Sequence, residues 1–325
     1  MGSMRHALVR AVLGTILALD PVLATPSISQ LFGRAASTTS TAADAVTTCN
    51  GRTEYCTRSY SNITFMGSHD SAFVGELPQQ NQNINITAQL DMGIRFLQAQ
   101  THKSLLDDSV LELCHTSCLL EDAGTLEAYL VVIKNWLDEN PDEVVTVLLT
   151  NGDSVGISTF GSTFSSSGID SYTYVPPSEP LAIGDWPTLG DLISSGKRLV
   201  AFLDYGADTS TVDYILDEFA YYFETPYDVT DKTFSNCSID RPAGASASGR
   251  MYLVNHYLDL DILGIDIPDR GAAGTTNAAT GEGSLGAQAT ECEGIYDRAP
   301  NVMLADFVDK GAVIDAQNQI NGFSS

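Results

Sequence analysis

The stretch that most narrows what this chain can fold into is Glu143 to Thr150, EVVTVLLT, a near-continuous apolar run between Asn140-Pro141 and Asn151. A strand that is apolar at successive positions has to be buried on both faces, as in a parallel sheet covered by helices. Comparable short runs recur along the chain: one from Ser61 that ends at His69, then Ile94 to Gln100, Val110 to His115, Arg198 to Leu203, Met251 to His256 and Val302 to Phe307. Helical patterns separate them. Asn81 to Met92 reads as a helix ending at Gly93, and Thr125 to Glu139 places Leu126, Leu130, Ile133 and Leu137 at helical spacing. An aromatic-rich helix is predicted over Val212 to Phe223, with others over 284–298 and 312–321. Pro187-Thr188 opens a helix with Asp191 in the capping-box position, stopping before Gly196, and 153–178 reads as a Ser/Gly-rich loop with a short helix. Strands alternating with helices point to a parallel α/β fold. Polar residues close the strands all along the chain: His69, Gln100, His115, Asn151, Asp204, His256 and Asp306. That spread predicts a TIM-type (β/α)8 barrel, regular or distorted, with chemistry at the strand carboxyl ends. A doubly wound sheet would gather such residues at one switch point and carry a Gly-rich phosphate loop after its first strand, which this sequence lacks.

Charge and processing signals bound the function classes. The chain has 41 Asp+Glu against 16 Lys+Arg, a net charge of −25, and no basic run interleaved with aromatics, which excludes nucleic acid as a partner. The same field opposes anionic bilayers and favours soluble or cell-wall-linked substrates. Arg5 and Arg10 flank the apolar run Ala11 to Leu19, and Val22-Leu23-Ala24 is a small-residue cleavage site, so residues 1–24 read as a secretory signal peptide interrupted by Asp20. No run reaches the ~20 apolar residues of a membrane span, and Asn318 to Ser325 offers no lipid-anchor signal. Residues 25–57 read as a Ser/Thr-rich arm closed by a small disulfide loop, and 58–325 as the barrel. The six cysteines fall into near pairs, Cys49 with Cys56 and Cys114 with Cys118, leaving Cys237 with Cys292. Those spacings would also suit a metal, but an exported chain favours disulfides. Sequons at Asn62, Asn85 and Asn236 fit the same route.

The chemistry-bearing stretch is Ile63 to Ser71. With period-two alternation Ile63, Phe65, Gly67 and His69 share one face, so an apolar strand ends in an imidazole followed by Asp70. Two histidines and two carboxylates at strand ends are the parts of general acid–base catalysis: His69 to accept a proton, His115 to deliver one, Asp70 and Asp306 to orient the rings. The bland alternative makes His69 a satisfied histidine in a turn and His115 a ring packed beside a Cys114–Cys118 disulfide. Gln98, Gln100, Asn151, Asp204 and His256 are candidate substrate-binding residues, His256 having a purely structural alternative. His6 lies in the removed segment, and His102 begins a charged, exposed loop. No His-x3-His or other compact ligand spacing marks a metal centre, and no G-x-S-x-G marks a serine hydrolase.

Gly67-Ser68-His69-Asp70-Ser71, Gly93-Ile94-Arg95-Phe96, Leu113-Cys114-His115, Asn140 through Thr146, Asp185-Trp186-Pro187-Thr188 and Asp306-Phe307 occur in this order. Together they resemble the secreted eukaryotic branch of the PLC-like phosphodiesterases, relatives of the phosphatidylinositol-specific phospholipase C catalytic (X) domain, over roughly residues 60–322. The resemblance implies a distorted TIM barrel and phosphodiester cleavage, with His69 activating a hydroxyl to attack phosphorus and His115 protonating the leaving oxygen. It also implies that Asp306 supports His69 and that Asp70 follows it as in the bacterial-type members. Two departures stand out. Calcium-dependent relatives have acidic ligands where Gln98, Gln100 and Thr150 stand, and neutral oxygens suit a hard dication poorly. Metal-independent bacterial relatives have an arginine at Gln100, and Arg95, on the opposite strand face, matches a structural arginine instead. The expected function is therefore a secreted phosphoric diester hydrolase or lyase of phospholipase C type, without a cofactor although calcium stays open. Its partner would be a small phosphodiester or phosphoinositide-like substrate with an inositol- or glycerol-phosphate-like head group, acted on by a monomer. One alternative is a degenerate barrel that binds a phosphorylated or glycan ligand without turnover. Another is a glycosidase or lyase using Asp70 and Asp306 as its carboxylate pair.

Overall fold

The computed structural model describes residues 47–323, so the signal peptide over 1–24 and most of the arm over 25–57 lie outside the described residues. Among the described residues eight parallel strands form the frame: β1 (Phe65–Ser68), β2 (Phe96–Lys103), β5 (Val145–Asn151), β6 (Leu199–Leu203), β7 (Ile215–Asp217), β8 (Tyr222–Glu224), β9 (Met251–Asn255) and β12 (Val302–Ala305). They pair in the order β7-β6-β5-β2-β1-β12-β9-β8, and among the described residues no ladder joins β7 to β8. The sheet therefore curls into a barrel that stays open at one seam. Two antiparallel pieces stand off this frame. β3 (Leu111–Cys114) pairs β2 and β4 (Asp122–Thr125) pairs β3, while β10 (Asp259–Asp261) and β11 (Asp266–Pro268) form a separate hairpin.

Alternation along each strand divides the core in two. Phe65, Phe96, Leu148, Phe202, Leu216, Tyr222, Leu253 and Leu304 belong to one buried cluster, the barrel interior. Their strand neighbours Met66, Leu97, Leu149, Leu203, Ile215, Phe223, Val254 and Ala305 belong to the other, which packs against the helices. Those helices are α1 (Ile86–Asp91), α2 (Leu126–Glu139), α3 (Ile157–Ser167), α4 (Leu189–Ser194), α5 (Glu218–Tyr221), α6 (Ala273–Thr276), α7 (Leu285–Tyr296) and α8 (Val313–Ile320). The interior is tight: a Cβ on Gly67 would stand 2.9 Å from the Leu304 side chain and 3.2 Å from Phe96, so glycine is what lets β1 approach its neighbours.

Several local expectations hold and some do not. Leu126, Leu130, Ile133 and Leu137 form the buried stripe of α2, and Thr188 and Asp191 make a reciprocal capping box on α4. The helix expected over Val212 to Phe223 is instead β7, the one-turn α5 and β8. Ile215 and Leu216 face different core clusters, as do Phe223 and Tyr222, which is strand geometry; aromatic content masked it. The helix expected from Asn81 starts only at Ile86, because the Asn85 side chain accepts a hydrogen bond from the Ala88 N–H at 2.9 Å and caps it there. The expected strand ending at His115 is present, but as an antiparallel excursion rather than a barrel stave. His102 lies on β2, half-buried, not in an exposed loop. The Cys49–Cys56 loop packs onto the barrel instead of closing a separate arm: Cys49 and Tyr55 are buried, and Asn50 exchanges side-chain hydrogen bonds with the Val144 backbone at 3.1 and 2.7 Å. The cysteines form three disulfides, Cys49–Cys56, Cys114–Cys118 and Cys237–Cys292. Asn62, Asn85 and Asn236 are exposed.

Candidate active site

At the carboxyl ends of the strands the interior-facing positions turn polar and line a cavity of about 580 Å³ that includes His69, Gln98, Gln100, Thr150, Asp204, Glu224, Asn255 and Tyr257. They continue the phase of the apolar interior residues, as Gln98 follows Phe96, Thr150 follows Leu148 and Asn255 follows Leu253.

His69 is the most constrained of these groups. Its Nδ1 lies 2.9 Å from Asp306 Oδ1, and the Tyr257 ring stacks on the imidazole at 3.7 Å between centroids and 2° between planes. An Nδ1–H donated to Asp306 leaves Nε2 as the free nitrogen, and Nε2 faces Asp70 Oδ2 at 3.6 Å. His115 Nε2 approaches the same Asp70 oxygen at 3.4 Å, and the Gln100 amide donates to it at 2.8 Å. Asp70 is fully buried, and its backbone sits in the left-handed region (φ 44°) that aspartate tolerates better than most residues. Its N–H donates to Gln98 Oε1 at 2.7 Å, which fixes the turn. Two histidines from elements far apart in sequence are thus brought to one carboxylate oxygen. Burial pushes the His69 pKa down, but the Asp70 and Asp306 carboxylates outweigh it and hold the ring up at about 9. Asp306 is raised from the usual carboxylate range by burial, against the pull of His69. Asn81, which the sequence placed in a helix, donates to Asp306 Oδ1 at 3.1 Å and lines the cavity.

His115 sits inside the five-residue loop closed by Cys114–Cys118, with Phe73 edge-on to its ring at 5.3 Å and Thr116 at φ 61° beside it. The Thr116 N–H donates to Gln100 Oε1 at 3.2 Å. Both amides on β2 are therefore engaged: the Gln98 oxygen by Asp70, and both ends of the Gln100 side chain by Thr116 and Asp70. Arg95 lies behind the strand, its guanidinium on Glu143 at 2.7 Å and on the Leu90 and Ile94 carbonyls.

Two expected substrate-binding residues are elsewhere. His256 is fully buried between the Gln288 side chain and the Thr276 carbonyl, stacked on Phe234 at 4.0 Å, and burial lowers its pKa. Asn151 is buried too, its side chain bridging Val155 and the Tyr205 carbonyl. Both stand one residue out of phase with the interior: Asn255 and Tyr257 flank His256, and Thr150 precedes Asn151, and those neighbours line the cavity. Asp204 lines it as expected, its Oδ1 accepting the Asn151 and Tyr205 N–H groups at 2.7 Å each, while burial lifts its pKa to about 6.

A second group of lining residues was not anticipated. Glu224, at the end of β8, accepts from Arg241 Nε at 2.9 Å and is 2% exposed. Glu218, on α5, is equally buried, and its carboxyl oxygens accept from no donor; burial, then the neighbouring Glu224 carboxyl, raises its pKa well above the ordinary range. Asp228, Asp259 and Asp266 complete this side. Strand phase from Tyr222 would have flagged Glu224, had β8 been recognised; Glu218 and Arg241 carry no spacing signal.

A family model described as PI-PLC X 1 matches residues 55–321. The chain is 52% identical over 323 residues to the PI-PLC X domain-containing protein 1 of Arthroderma benhamiae, covering 99% of each. It is 45% identical over 274 residues to an uncharacterized secreted protein of the same organism, covering 82% of this chain and 61% of that one. Among solved structures it resembles a phosphatidylinositol-specific phospholipase C from Listeria monocytogenes, with a TM-score of 0.56 and 15% identity over 83% of this chain and 96% of that one. A histidine-to-tyrosine mutant of the Staphylococcus aureus enzyme gives 0.52 and 13%, over 82% and 94%. At such identities these two structures speak for the fold, a distorted (β/α) barrel. The family match over most of the described chain, and the relative matched along its whole length, make this chain a member of the PI-PLC X family.

Proposed function

We propose that this chain is a secreted phosphodiesterase of phospholipase C type that works by histidine acid–base catalysis without bound calcium. One observation carries the reading: the Nε2 atoms of His69 and His115 lie 3.6 and 3.4 Å from a single buried oxygen, Asp70 Oδ2, at the mouth of the barrel. A hydroxyl poised between phosphorus and His69 gives its proton to Nε2 as the new O–P bond forms. His115 Nε2–H hands its proton to the leaving oxygen as the old P–O bond breaks. Asp306 fixes the His69 tautomer this requires, and Tyr257 fixes the plane of the ring. The calcium positions of related enzymes hold Gln98, Gln100 and Thr150, and the two amides are already committed to Asp70 and Thr116, so this donor set does not fit a hard dication. Secretion is supported by the three disulfides and by the relative described as a secreted protein; among the described residues no helix is long and apolar enough to cross a membrane.

The test is a panel of inositol and glycerol phosphodiesters assayed with calcium and with chelator. Turnover by the unmodified chain should be indifferent to chelator, and His69→Ala and His115→Ala should each lower kcat by roughly 10²–10⁴-fold. Unchanged turnover in both variants would refute the reading. The engaged amides at Gln98 and Gln100 favour one alternative, a barrel that binds a phosphorylated or glycan ligand and does not turn it over. The glycosidase alternative loses ground, because Asp70 and Asp306 are both buried and both directed at His69.

A further inference from the structure

The cavity takes most of its fixed charge from carboxylates. Asp204, Glu218, Glu224, Asp228, Asp259 and Asp266 all line it, and Arg241, the one lysine or arginine in the lining among the described residues, already spends its guanidinium on Glu224. A wall of acids is not by itself a site. Asp259 makes it one. It lies at the start of the β10–β11 hairpin, is 7% exposed, lines the cavity, and among the described residues its carboxylate has no hydrogen-bond or ion-pair partner. Burying a carboxylate without a donor is costly, so such a group marks a place where a ligand supplies the missing contact. Its charged neighbours are Asp306, His69, Asp228 and Asp266.

We propose that Asp259, with Asp228 and Asp266 at the rim, forms a subsite for an organic ammonium group, so that the phosphodiester this chain takes carries an amine on its head group. The inference rests on the phosphodiesterase reading and narrows its substrate class. An ammonium brings a full positive charge and up to three donors to carboxylates that have none. A neutral polyol would bring donors but leave the charge uncompensated. A divalent cation would need the oxygens gathered around one point. Among the described residues the group with ligand atoms within 4.8 Å of one another is Glu112, Cys114 and Cys118, whose sulfurs are joined in a disulfide, and the Asp259 trio is not so gathered. The order of groups also fits: the phosphate goes between His69 and His115, and Asp259, a charged neighbour of His69, offers negative charge to the amine.

Calorimetric titration of the full chain at about pH 8, above the Asp259 value of about 7, tests this. The His115→Ala variant serves, so that ligands are not consumed, and the probes are glycerophosphoethanolamine, glycerophosphoinositol, glycerophosphoglycerol and calcium chloride. Glycerophosphoethanolamine should bind about fivefold or more tighter than either ester with a neutral head group. Asp259→Asn should erase most of that preference, and Asp266→Asn, at an exposed position that leaves the fold unchallenged, should reduce it. Equal or weaker binding of the amine ester overturns the inference, as does no binding of any ester at millimolar concentration. A preference that survives Asp259→Asn overturns it too, as does calcium binding that Asp259→Asn abolishes. If the unmodified chain hydrolyses none of the esters while the binding preference stands, the phosphodiesterase reading fails and the ammonium subsite does not.

Discussion

The two sides of the cavity are built on different principles. On the side formed by β1, β2, β3 and β12, the functional groups are tied together: Asp70 Oδ2 meets Gln100, His69 and His115, and His69 is held by Asp306 and Tyr257. On the side formed by α5, β8 and the β10–β11 hairpin, Glu218 has no donor and meets only the Glu224 carboxyl, and among the described residues the Asp259 carboxylate has no hydrogen-bond partner. A site that holds reacting groups within a few tenths of an ångström needs the first arrangement. A surface that waits for a ligand tolerates the second, because its polar groups are satisfied only in the complex.

The largest effect expected from that contrast is on catalysis. Asp70→Asn keeps the shape of the turn but removes the charge both histidines share, and kcat should fall by about 10²-fold or more. Glu218→Gln replaces an acid whose pKa burial raises well above the ordinary range by an amide of the same shape, and should change kcat less than about threefold. Kinetics of the two variants on one phosphodiester decide it; effects of similar size would dissolve the distinction between the two sides.

A pH profile sharpens it next. A base must be unprotonated, and the His69 ring is held at about 9, so kcat/KM should climb by about tenfold per pH unit through neutrality and level off near that value. Stability should move the other way. The folded value lies above the unfolded one of about 6.5, so the stabilising contribution of His69 is complete below that pH and is lost as pH rises through 9. Activity falling with pH over the same range would exchange the two histidines' roles.

How far the sequence foretold this contrast depends on strand phase. His69, Gln98, Gln100 and Asp204 were legible because each ends or continues an apolar strand whose alternation is unmistakable, and Thr188 with Asp191 announced a cap that does form. Asn151 and His256 were misplaced by a single residue: counting polar groups at strand ends ignores which face they occupy, and the interior belongs to Thr150, Asn255 and Tyr257. The second side was illegible for a different reason. β8 is three residues long and its aromatics imitate a helical stripe, while Asp259 and Asp266 reach the cavity from a hairpin outside the barrel, a placement that only tertiary packing decides.

The smallest expected effect tests the second side through stability. Burial, then Asp306, raises the Asp259 carboxyl from 3.8 to about 7, so the folded chain prefers it neutral. Its stabilising preference is whole below the unfolded value and declines as pH climbs to about 7, beyond which the ionised, unpartnered group is a constant cost. Asp259→Asn removes that cost. Urea melts should show the variant more stable than the unmodified chain by about 1–3 kcal/mol at pH 8, and no more stable at pH 4, where both side chains are neutral. An equal shift at both pH values would trace the effect to packing, and a loss at pH 8 would mean the carboxylate already has a partner. If the gain appears, saturating glycerophosphoethanolamine should shrink it, since the amine then supplies to the native carboxylate the contact that the bare fold leaves out.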